Sequence, residues 1–167
     1  MTFDIIATLA AIVGPDHVIA PGAGMASYVS EPRRRFHQAA AAVVRPGTVA
    51  EVQAIARWAN EHGIGLIPQG GNTGLVGAQV PLRGDEVIVS LARLDRVRSI
   101  DPAAGTITVE AGAILEHVHA AAEAEGMMFP LWLASQGSAR IGGLLSSNAG
   151  GVNVLAYGNA RELTMGV

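Results

Sequence analysis

The sequence predicts an α+β protein of two subdomains, 1–92 and 93–167, and three observations support this prediction. Residues 41–67 give a strand, a helix and a strand within about thirty residues, the pattern of a parallel βαβ unit. Residues 97–111 alternate between apolar and polar side chains on both sides of a turn, as antiparallel hairpins do. Half of the 167 residues are hydrophobic, which is enough for two small subdomains with a shared core. We expect a small parallel subdomain, then one with a mixed or antiparallel sheet and helices.

The first element in the chain is a predicted amphipathic helix. Thr2 is its expected N-cap, and the pair Gly14-Pro15 is expected to end it. The side chains on its predicted buried face are Phe3, Ile6, Ala10 and Val13. The segment is too short to span a bilayer and has no basic residues ahead of it, so neither a signal peptide nor a membrane span is predicted. These features favour a soluble, cytoplasmic protein, and peripheral association with the inner membrane stays open.

The βαβ unit comes next. Residues 41–45 are a predicted strand, and Thr48 with Glu51 forms a capping box whose side chains satisfy each other's backbone donors. The helix that follows places Val52, Ile55, Ala56 and Ala59 on one face and ends at Gly63. Residues 64–67 read as a second buried strand, parallel to the first through a right-handed crossover. A third strand is predicted at 86–91.

A glycine-rich loop, PQGGNTGLVG at 68–77, follows the second strand. Because that strand is parallel, the loop lies at the sheet edge where α/β proteins bind ligands. It has no charged residue, so an anion there would be held by backbone N–H groups, with Asn72 and Thr73 as neutral donors. This favours a phosphate or pyrophosphate ligand, but a purely structural multiple turn explains the same spacing.

The second subdomain contains a similar cluster. After the hairpin, a helix with Ile114, Leu115, Val118 and Ala122 on one side is expected to end at Gly126. Small residues and neutral donors then recur at 137–143 and 147–151, with a helix predicted to start near Gly143 whose free N–H groups suit an anion. Two such clusters imply one extended ligand, and a dinucleotide has that length.

Composition excludes several other kinds of chemistry. The formal charge of −3 argues against a nucleic-acid partner, since only Arg33–Arg35 form a basic run. The sequence has no lysine for a Schiff base or a P-loop, and no cysteine for a disulfide, thiolate or cluster site. His117 and His119 point to different helix faces and make a poor metal pair, so no metal site is predicted.

In their order along the chain, the motifs resemble those of a known family. They are PQGGNTGLVG, then P-L-x-L-x-x-x-G-S-x-x-I-G-G from Pro130, then S-N-A-G-G at 147–151 and Tyr157-Gly158. The sequence is similar to the FAD-binding domain of the FAD-linked oxidases of the vanillyl-alcohol oxidase superfamily, nearest the D-lactate, glycolate and D-2-hydroxyglutarate dehydrogenases. The resemblance covers the chain from about Val13 onward and implies the PCMH-type FAD-binding fold, with FAD between the subdomains.

Individual cofactor contacts follow from the resemblance. The loop that would hold the FAD pyrophosphate comprises Pro68, Gly70, Gly71, Asn72, Thr73, Gly74 and Leu75. The residues that would line the flavin and its phosphate end are Pro130, Gly137, Ser138, Ile141, Gly142 and Gly143, closed behind by Asn148, Gly150 and Gly151, with Tyr157, Gly158 and Val167 completing the wall. Trp132 is a further candidate flavin or substrate contact, although a packing role also explains it. Arg140 is a candidate partner for an anion, but an exposed arginine explains it equally.

The same resemblance implies an activity for a full-length enzyme. It would transfer hydride from a D-2-hydroxy acid to FAD. The FAD would be bound non-covalently, because Asn72 stands where some relatives carry an attaching histidine and the sequence has no cysteine. The electron acceptor would be a quinone, a cytochrome or an electron-transfer flavoprotein, and a homodimer is possible. The resemblance also places the last residues, ELTMGV, in a strand and the substrate-binding half beyond residue 167, so that weak FAD retention and no dehydrogenase activity are expected of these residues alone.

Two alternative functions stay open. One is another enzyme of the same fold, such as a cell-wall precursor reductase or the flavin subunit of a molybdenum hydroxylase. A downstream domain with clustered histidines would argue against it. The other is a non-catalytic flavin-binding or interaction module, and flavin absorbance titratable with added FAD would argue against a module that has lost its flavin.

Overall fold

A computed structural model describes residues 4–167 of the chain. The backbone divides into two compact units, one ending at Arg93 and the other spanning Leu94–Val167. In the first unit, helices α1 (Ile5–Val13) and α2 (Val49–His62) accompany strands β1 (Val18–Ile19), β2 (Ala42–Val44), β3 (Leu66–Gln69) and β4 (Val87–Ser90). In the second unit, strands β5 (Val97–Asp101) and β6 (Thr106–Val109) precede helices α3 (Leu115–Ala124), α4 (Ile141–Ser146) and α5 (Val154–Tyr157).

Helix α1 begins later than the sequence suggests. Asp4 is its N-cap, and the Asp4 carboxylate accepts a hydrogen bond of 3.1 Å from the Ala7 amide. The predicted cap Thr2 and the predicted core residue Phe3 lie outside the described residues. Val13 is buried and the half-buried Ile6 packs against the same core, as predicted, whereas Ala10 is half-buried and the fully buried Leu9 was not predicted. Gly14 ends it as expected, at φ 86°.

The N-terminus of α2 forms one of the two hydrogen bonds of a capping box. The Thr48 hydroxyl accepts the Glu51 amide at 3.1 Å, as predicted. The Glu51 carboxylate, however, accepts the Gly47 amide at 2.7 Å and not that of Thr48. Gly63 ends the helix in the left-handed conformation.

The buried face of α2 also differs from the prediction at one position. Ile55, Trp58 and Ala59 are buried, and Ala56 is exposed, because Ala56 lies about 100° around the helix from Ile55 and outside the buried face.

The first unit contains a four-stranded sheet in the order β1-β2-β4-β3. Strands β2 and β3 run parallel to one another, as predicted, but each pairs with β4, which lies between them. Strand β1, which was not predicted, adds antiparallel to β2. Strand β3 is an edge strand, only partly buried, and it continues through Pro68 to Gln69. An edge position tolerates proline, since proline cannot donate to a ladder.

Both faces of this sheet are covered. Ala42 and Val44 of β2 face a core shared with α1 and α2, while Val43 between them faces a second core with Met25 and Val29. Burial on both faces explains why β2 and β4 are continuous apolar runs rather than alternating ones.

In the second unit, β5 and β6 form the predicted antiparallel hairpin. Helix α3 ends near Gly126 as predicted, and Leu115 belongs to a core with Leu131, Leu144 and Ala160. Helix α5 was not predicted, and its four residues include none that is buried. The predicted strand at ELTMGV is wrong: Thr164 donates backward to Arg161 and Ala160 within a turn, so no partner strand is engaged.

Candidate cofactor site

The glycine loop begins where β3 ends, at the carboxyl edge of the parallel strands. Its eight consecutive amides from Gly70 to Gly77 donate no hydrogen bond to any group of the described chain. The residues from Gly70 to Val76 are exposed or half-buried, so their amides are the candidate donors to a ligand, whereas Gly77 is buried. A run of N–H groups on a concave turn is an anion site that needs no cation.

Side-chain amides hold this loop in place. Asn72 adopts φ 53°, and its Nδ2 donates to the carbonyl oxygens of Ser27 at 2.9 Å and Ser30 at 2.8 Å. Gln69, buried at the end of β3, donates to the Tyr28 and Gln79 carbonyls. The prediction that Asn72 donates to a phosphate is wrong in this conformation, because both Nδ2 protons are already used.

Two loop glycines are required by close neighbours. A Cβ on Gly77, which has φ 79°, would lie 2.7 Å from the Phe36 ring. A Cβ on Gly74 would lie 2.9 Å from the Gln79 side chain, whose Nε2 donates to the Gly74 carbonyl at 2.7 Å. These glycines thus allow the loop to pack against its supports.

The segment that supports the loop is folded around a buried carboxylate. Glu31 accepts the amides of Arg33 at 2.6 Å, Arg35 at 2.5 Å and Phe36 at 3.4 Å. Burial by itself raises the pKa of Glu31, but these amide donors outweigh burial and lower the pKa below its ordinary value. The turn from Ser30 to Phe36 is thereby closed by an ionised side chain.

The second cluster is more strongly engaged in its own unit. Helix α4 begins at Ile141 and not near Gly143, and the amides of Ile141 and Gly142 donate to the Ala113 and Ala111 carbonyls. The predicted helix start near Gly143 is therefore two residues too late, and the amides of Ile141 and Gly142 are not free. The Gly143 amide donates to no group in the described chain, and its Cα faces open space.

Several glycines of the second cluster pack against backbone. A Cβ on Gly142 would lie 2.9 Å from that of Ala111, and one on Gly151 would collide with the Trp132 carbonyl. A Cβ on Gly150 would lie 2.8 Å from the Asn159 side chain. These positions are explained by packing without any ligand.

Other predicted contacts of the second cluster occupy turns. Asn148 has φ 49°, and its Oδ1 accepts the Arg161 amide at 3.0 Å, so this residue closes the turn after α4. Gly137 and Ser138 are exposed, and Pro130 is half-buried. Asn148 therefore has a structural role in the described chain, while Gly137 and Ser138 stay accessible.

The C-terminal candidates are mostly exposed. Tyr157 and Val167 are exposed at 48% and 112%, and Gly158 has φ 81° beside Glu162. Trp132 stacks on His119 with ring centroids 4.2 Å apart, while one third of its surface stays accessible. Arg140 donates to the Gly112 carbonyl, so its guanidinium has a structural role.

Across residues 4–167, no three His, Asp or Glu side chains converge as a metal site requires. In the same range, no helix is both long and apolar enough to cross a membrane.

The fold and the amide-lined loop together define an α+β dinucleotide-binding domain, and comparison with known proteins identifies its family. The family of FAD binding domains matches residues 40–167, which is most of the chain. The protein therefore belongs to this family of FAD-binding domains, and the predicted cofactor is confirmed.

Relatives of known name are longer proteins. The D-2-hydroxyglutarate dehydrogenase of Xanthomonas citri pv. viticola is 43% identical over 134 residues, which cover 80% of this chain and 28% of the relative. The D-2-hydroxyglutarate–pyruvate transhydrogenase of Saccharomyces cerevisiae is 34% identical over 143 residues, covering 86% and 29% respectively. The chain spans less than one third of the length of these relatives.

Solved structures confirm the predicted fold. An alkyldihydroxyacetonephosphate synthase superposes with a TM-score of 0.87 at 19% identity, covering 99% of this chain and 32% of that one. For p-cresol methylhydroxylase the TM-score is 0.72 at 23% identity, covering 87% and 29%. The α+β, PCMH-type FAD-binding fold inferred from the motifs is thus correct.

Residues that sequence reasoning missed are those that support the loop. Ser27, Ser30 and Glu31 lie about forty residues before it, and they act through backbone carbonyls and a buried carboxylate. No local pattern reveals such partners, because the contact depends on the tertiary path of the chain.

Proposed function

We propose that FAD binds without a covalent bond and that its pyrophosphate rests on the amides of Gly70–Gly77. The observation that supports the proposal most directly is that these amides donate to no group of the described chain. The loop is held by the Asn72 side chain and lies at the sheet edge where α/β proteins bind ligands. Hydrogen bonds to a charged acceptor contribute about 1.5–3 kcal/mol each. A few of them offset the missing cation.

The residues present fit the cofactor chemically. Loop residues 68–77 carry no charge, so no carboxylate opposes the pyrophosphate. The half-buried Thr73 adds a hydroxyl donor. In the Leu94–Val167 unit, considered by itself, the Gly143 amide remains a candidate cofactor contact, as do Pro130, Gly137, Ser138 and Tyr157.

Non-covalent attachment is supported by the side chains available. The sequence has no cysteine, and Asn72 carries no nucleophilic nitrogen of the histidine type. Denaturation should therefore release all flavin from the polypeptide. Flavin fluorescence that stays with the denatured chain on a gel would contradict this.

The pyrophosphate assignment is tested by comparing three ligands. FAD and ADP carry the pyrophosphate, whereas riboflavin does not. We expect FAD and ADP to bind at least tenfold more tightly than riboflavin in titrations followed by flavin fluorescence or calorimetry. Equal affinities for FAD and riboflavin would show that the loop does not hold the pyrophosphate.

For the whole protein, we propose oxidation of a D-2-hydroxy acid, a small-molecule substrate. The names of the two relatives described above support this class over the reductase and molybdenum-hydroxylase alternatives. Bound FAD would supply the hydride acceptor, and the protein would supply binding, orientation and exclusion of water.

A chimera tests the proposed activity. The residues of this chain replace the matching 134 residues of the Xanthomonas relative. We expect D-2-hydroxyglutarate, but not its L enantiomer, to bleach the visible absorbance of the bound flavin. A chimera that folds, binds FAD and is not reduced by any D-2-hydroxy acid would contradict the proposal.

A further inference from the structure

We propose that Asn72 is a positioning residue, a brace that holds the glycine loop in its binding conformation, and that it is not itself a ligand of the cofactor. The inference deepens the proposed pyrophosphate site by separating the groups that bind from the groups that hold them. It rests on the proposed function only where cofactor affinity is the measurement.

The donor capacity of Asn72 is fully used. A side-chain amide has two N–H donors, and both point at carbonyl oxygens, 2.9 Å away on Ser27 and 2.8 Å away on Ser30. The opposite assignment of the amide would place Oδ1 against two carbonyl oxygens, so the two acceptors determine which atom is nitrogen. The remaining Oδ1 is buried and can only accept, so it cannot donate to a phosphate.

The position of the brace in the loop is central. The backbone of Gly70–Gly77 makes no donor contacts of its own in the described chain, so side chains must fix its path. Gln69 anchors the beginning of the loop and Gln79 anchors Gly74. Asn72 lies between these two anchors, in the left-handed region that asparagine tolerates better than most residues.

The surface that receives the brace is itself fixed. Glu31 gathers the amides of Arg33, Arg35 and Phe36, which places the Ser30 carbonyl towards Asn72 and the Phe36 ring against Gly77. Glu31 therefore acts on the loop through Ser30 and Phe36. We assign it as a second positioning residue of the same support.

The variant Asn72→Gly tests the brace. Glycine adopts φ 53° without strain, so this variant removes the two side-chain hydrogen bonds without forcing the backbone into a new conformation. Two neutral hydrogen bonds correspond to a roughly tenfold or greater loss of affinity for FAD and for ADP. If asparagine were needed only for its tolerance of positive φ, Asn72→Gly would bind like the natural chain, and that result would overturn the proposal.

A measurement without ligand separates this inference from the proposed function. Leu75 and Val76 are exposed at 44% and 79%, and thermolysin cleaves before such residues. We expect Asn72→Gly to speed cleavage within 70–79 at least several-fold, as mapped by mass spectrometry, with little change in cleavage elsewhere in the chain. The control Asn60→Ala, an exposed site on α2, should change neither cleavage nor affinity.

The outcomes are distinct. Faster cleavage in Asn72→Gly with no FAD binding by the natural chain would keep the brace and refute the proposed site. Unchanged cleavage would refute the brace.

A double-mutant cycle tests the link to Glu31. Glu31→Gln replaces one accepting carboxylate oxygen with an NH₂ group. If Glu31 and Asn72 belong to one support, their separate losses of FAD affinity will not add up to the loss in the double variant. A direct Asn72–phosphate contact would instead give additive losses, and that result would overturn the assignment of both positioning residues.

Discussion

At the residue scale, neighbouring glycines of the second cluster have different roles. Gly142 packs against the Ala111 backbone and donates its amide to the Ala111 carbonyl at 2.7 Å, whereas Gly143 faces open space. The fold therefore requires glycine at position 142, whereas it does not require glycine at position 143.

This difference gives a matched pair of variants. Gly142→Ala should lower stability by about 1–3 kcal/mol, since the new methyl group overlaps backbone that cannot move easily. Gly143→Ala should be neutral or stabilise α4 by roughly 0.5–1 kcal/mol, because alanine favours a helix. Urea unfolding of both variants measures the difference, and similar stabilities would contradict the assigned packing.

Sequence reasoning at this scale located the loop but not the role of Asn72. The glycine spacing and the preceding strand are local signals, and the structure confirms that the loop follows strand β3. The acceptors of the Asn72 amide are the carbonyls of Ser27 and Ser30, more than forty residues away in the chain. Backbone carbonyls carry no residue type, so no sequence pattern identifies them as partners.

At the scale of elements, the cap of α2 sets how the chain leaves β2. The Thr48 hydroxyl accepts the Glu51 amide and satisfies one of the free donors at the helix start.

Thr48→Ala should therefore cost about 1 kcal/mol of unfolding free energy. The adjacent Val49→Ala is the control, because Val49 is 52% exposed and should have little effect. Chemical denaturation compares the two variants, and equal stabilities would show that the Thr48 cap does not stabilise the protein.

The hairpin of the second unit is joined at its open end by an ion pair. Arg96 Nη2 lies 2.9 Å from Glu110 Oε1, and Arg98 Nη2 lies 3.3 Å from the same atom. The Arg96 guanidinium and amide, with Arg98, lower the pKa of Glu110 to about 2. A carboxyl whose pKa is lower when folded stabilises the protein above its unfolded pKa.

Acid should therefore destabilise this hairpin in a defined window. The contribution of Glu110 is complete above about pH 4.5, the ordinary value, and is lost as the pH falls towards about 2. Glu110→Gln should lower Tm at neutral pH and flatten its decline in acid. Parallel Tm curves for the two proteins, followed by circular dichroism, would contradict the pKa assignment.

At the scale of the whole molecule, the sequence predicted the fold class and the cofactor but not every strand neighbour. The prediction that β2 and β3 are parallel was correct. The placement of β4 between them was not predicted, because the order of strands along the chain does not determine which strand fills the centre of a sheet. The two-residue β1 and the four-residue α5 are too short to produce a periodic pattern. The resemblance of ordered motifs supplied the cofactor, which residue spacing alone left as an unspecified dinucleotide.

In the proposed site, the amides of Gly70–Gly77 hold the pyrophosphate of FAD. Two-dimensional NMR of the nitrogen-15-labelled chain tests it directly, because amide signals report weak as well as tight binding. Titration with FAD should shift the signals of Gly70–Gly77 along one common binding curve, and ADP should shift the same signals while riboflavin does not. Unmoved loop signals at saturating FAD, or equal shifts with riboflavin, would contradict the account.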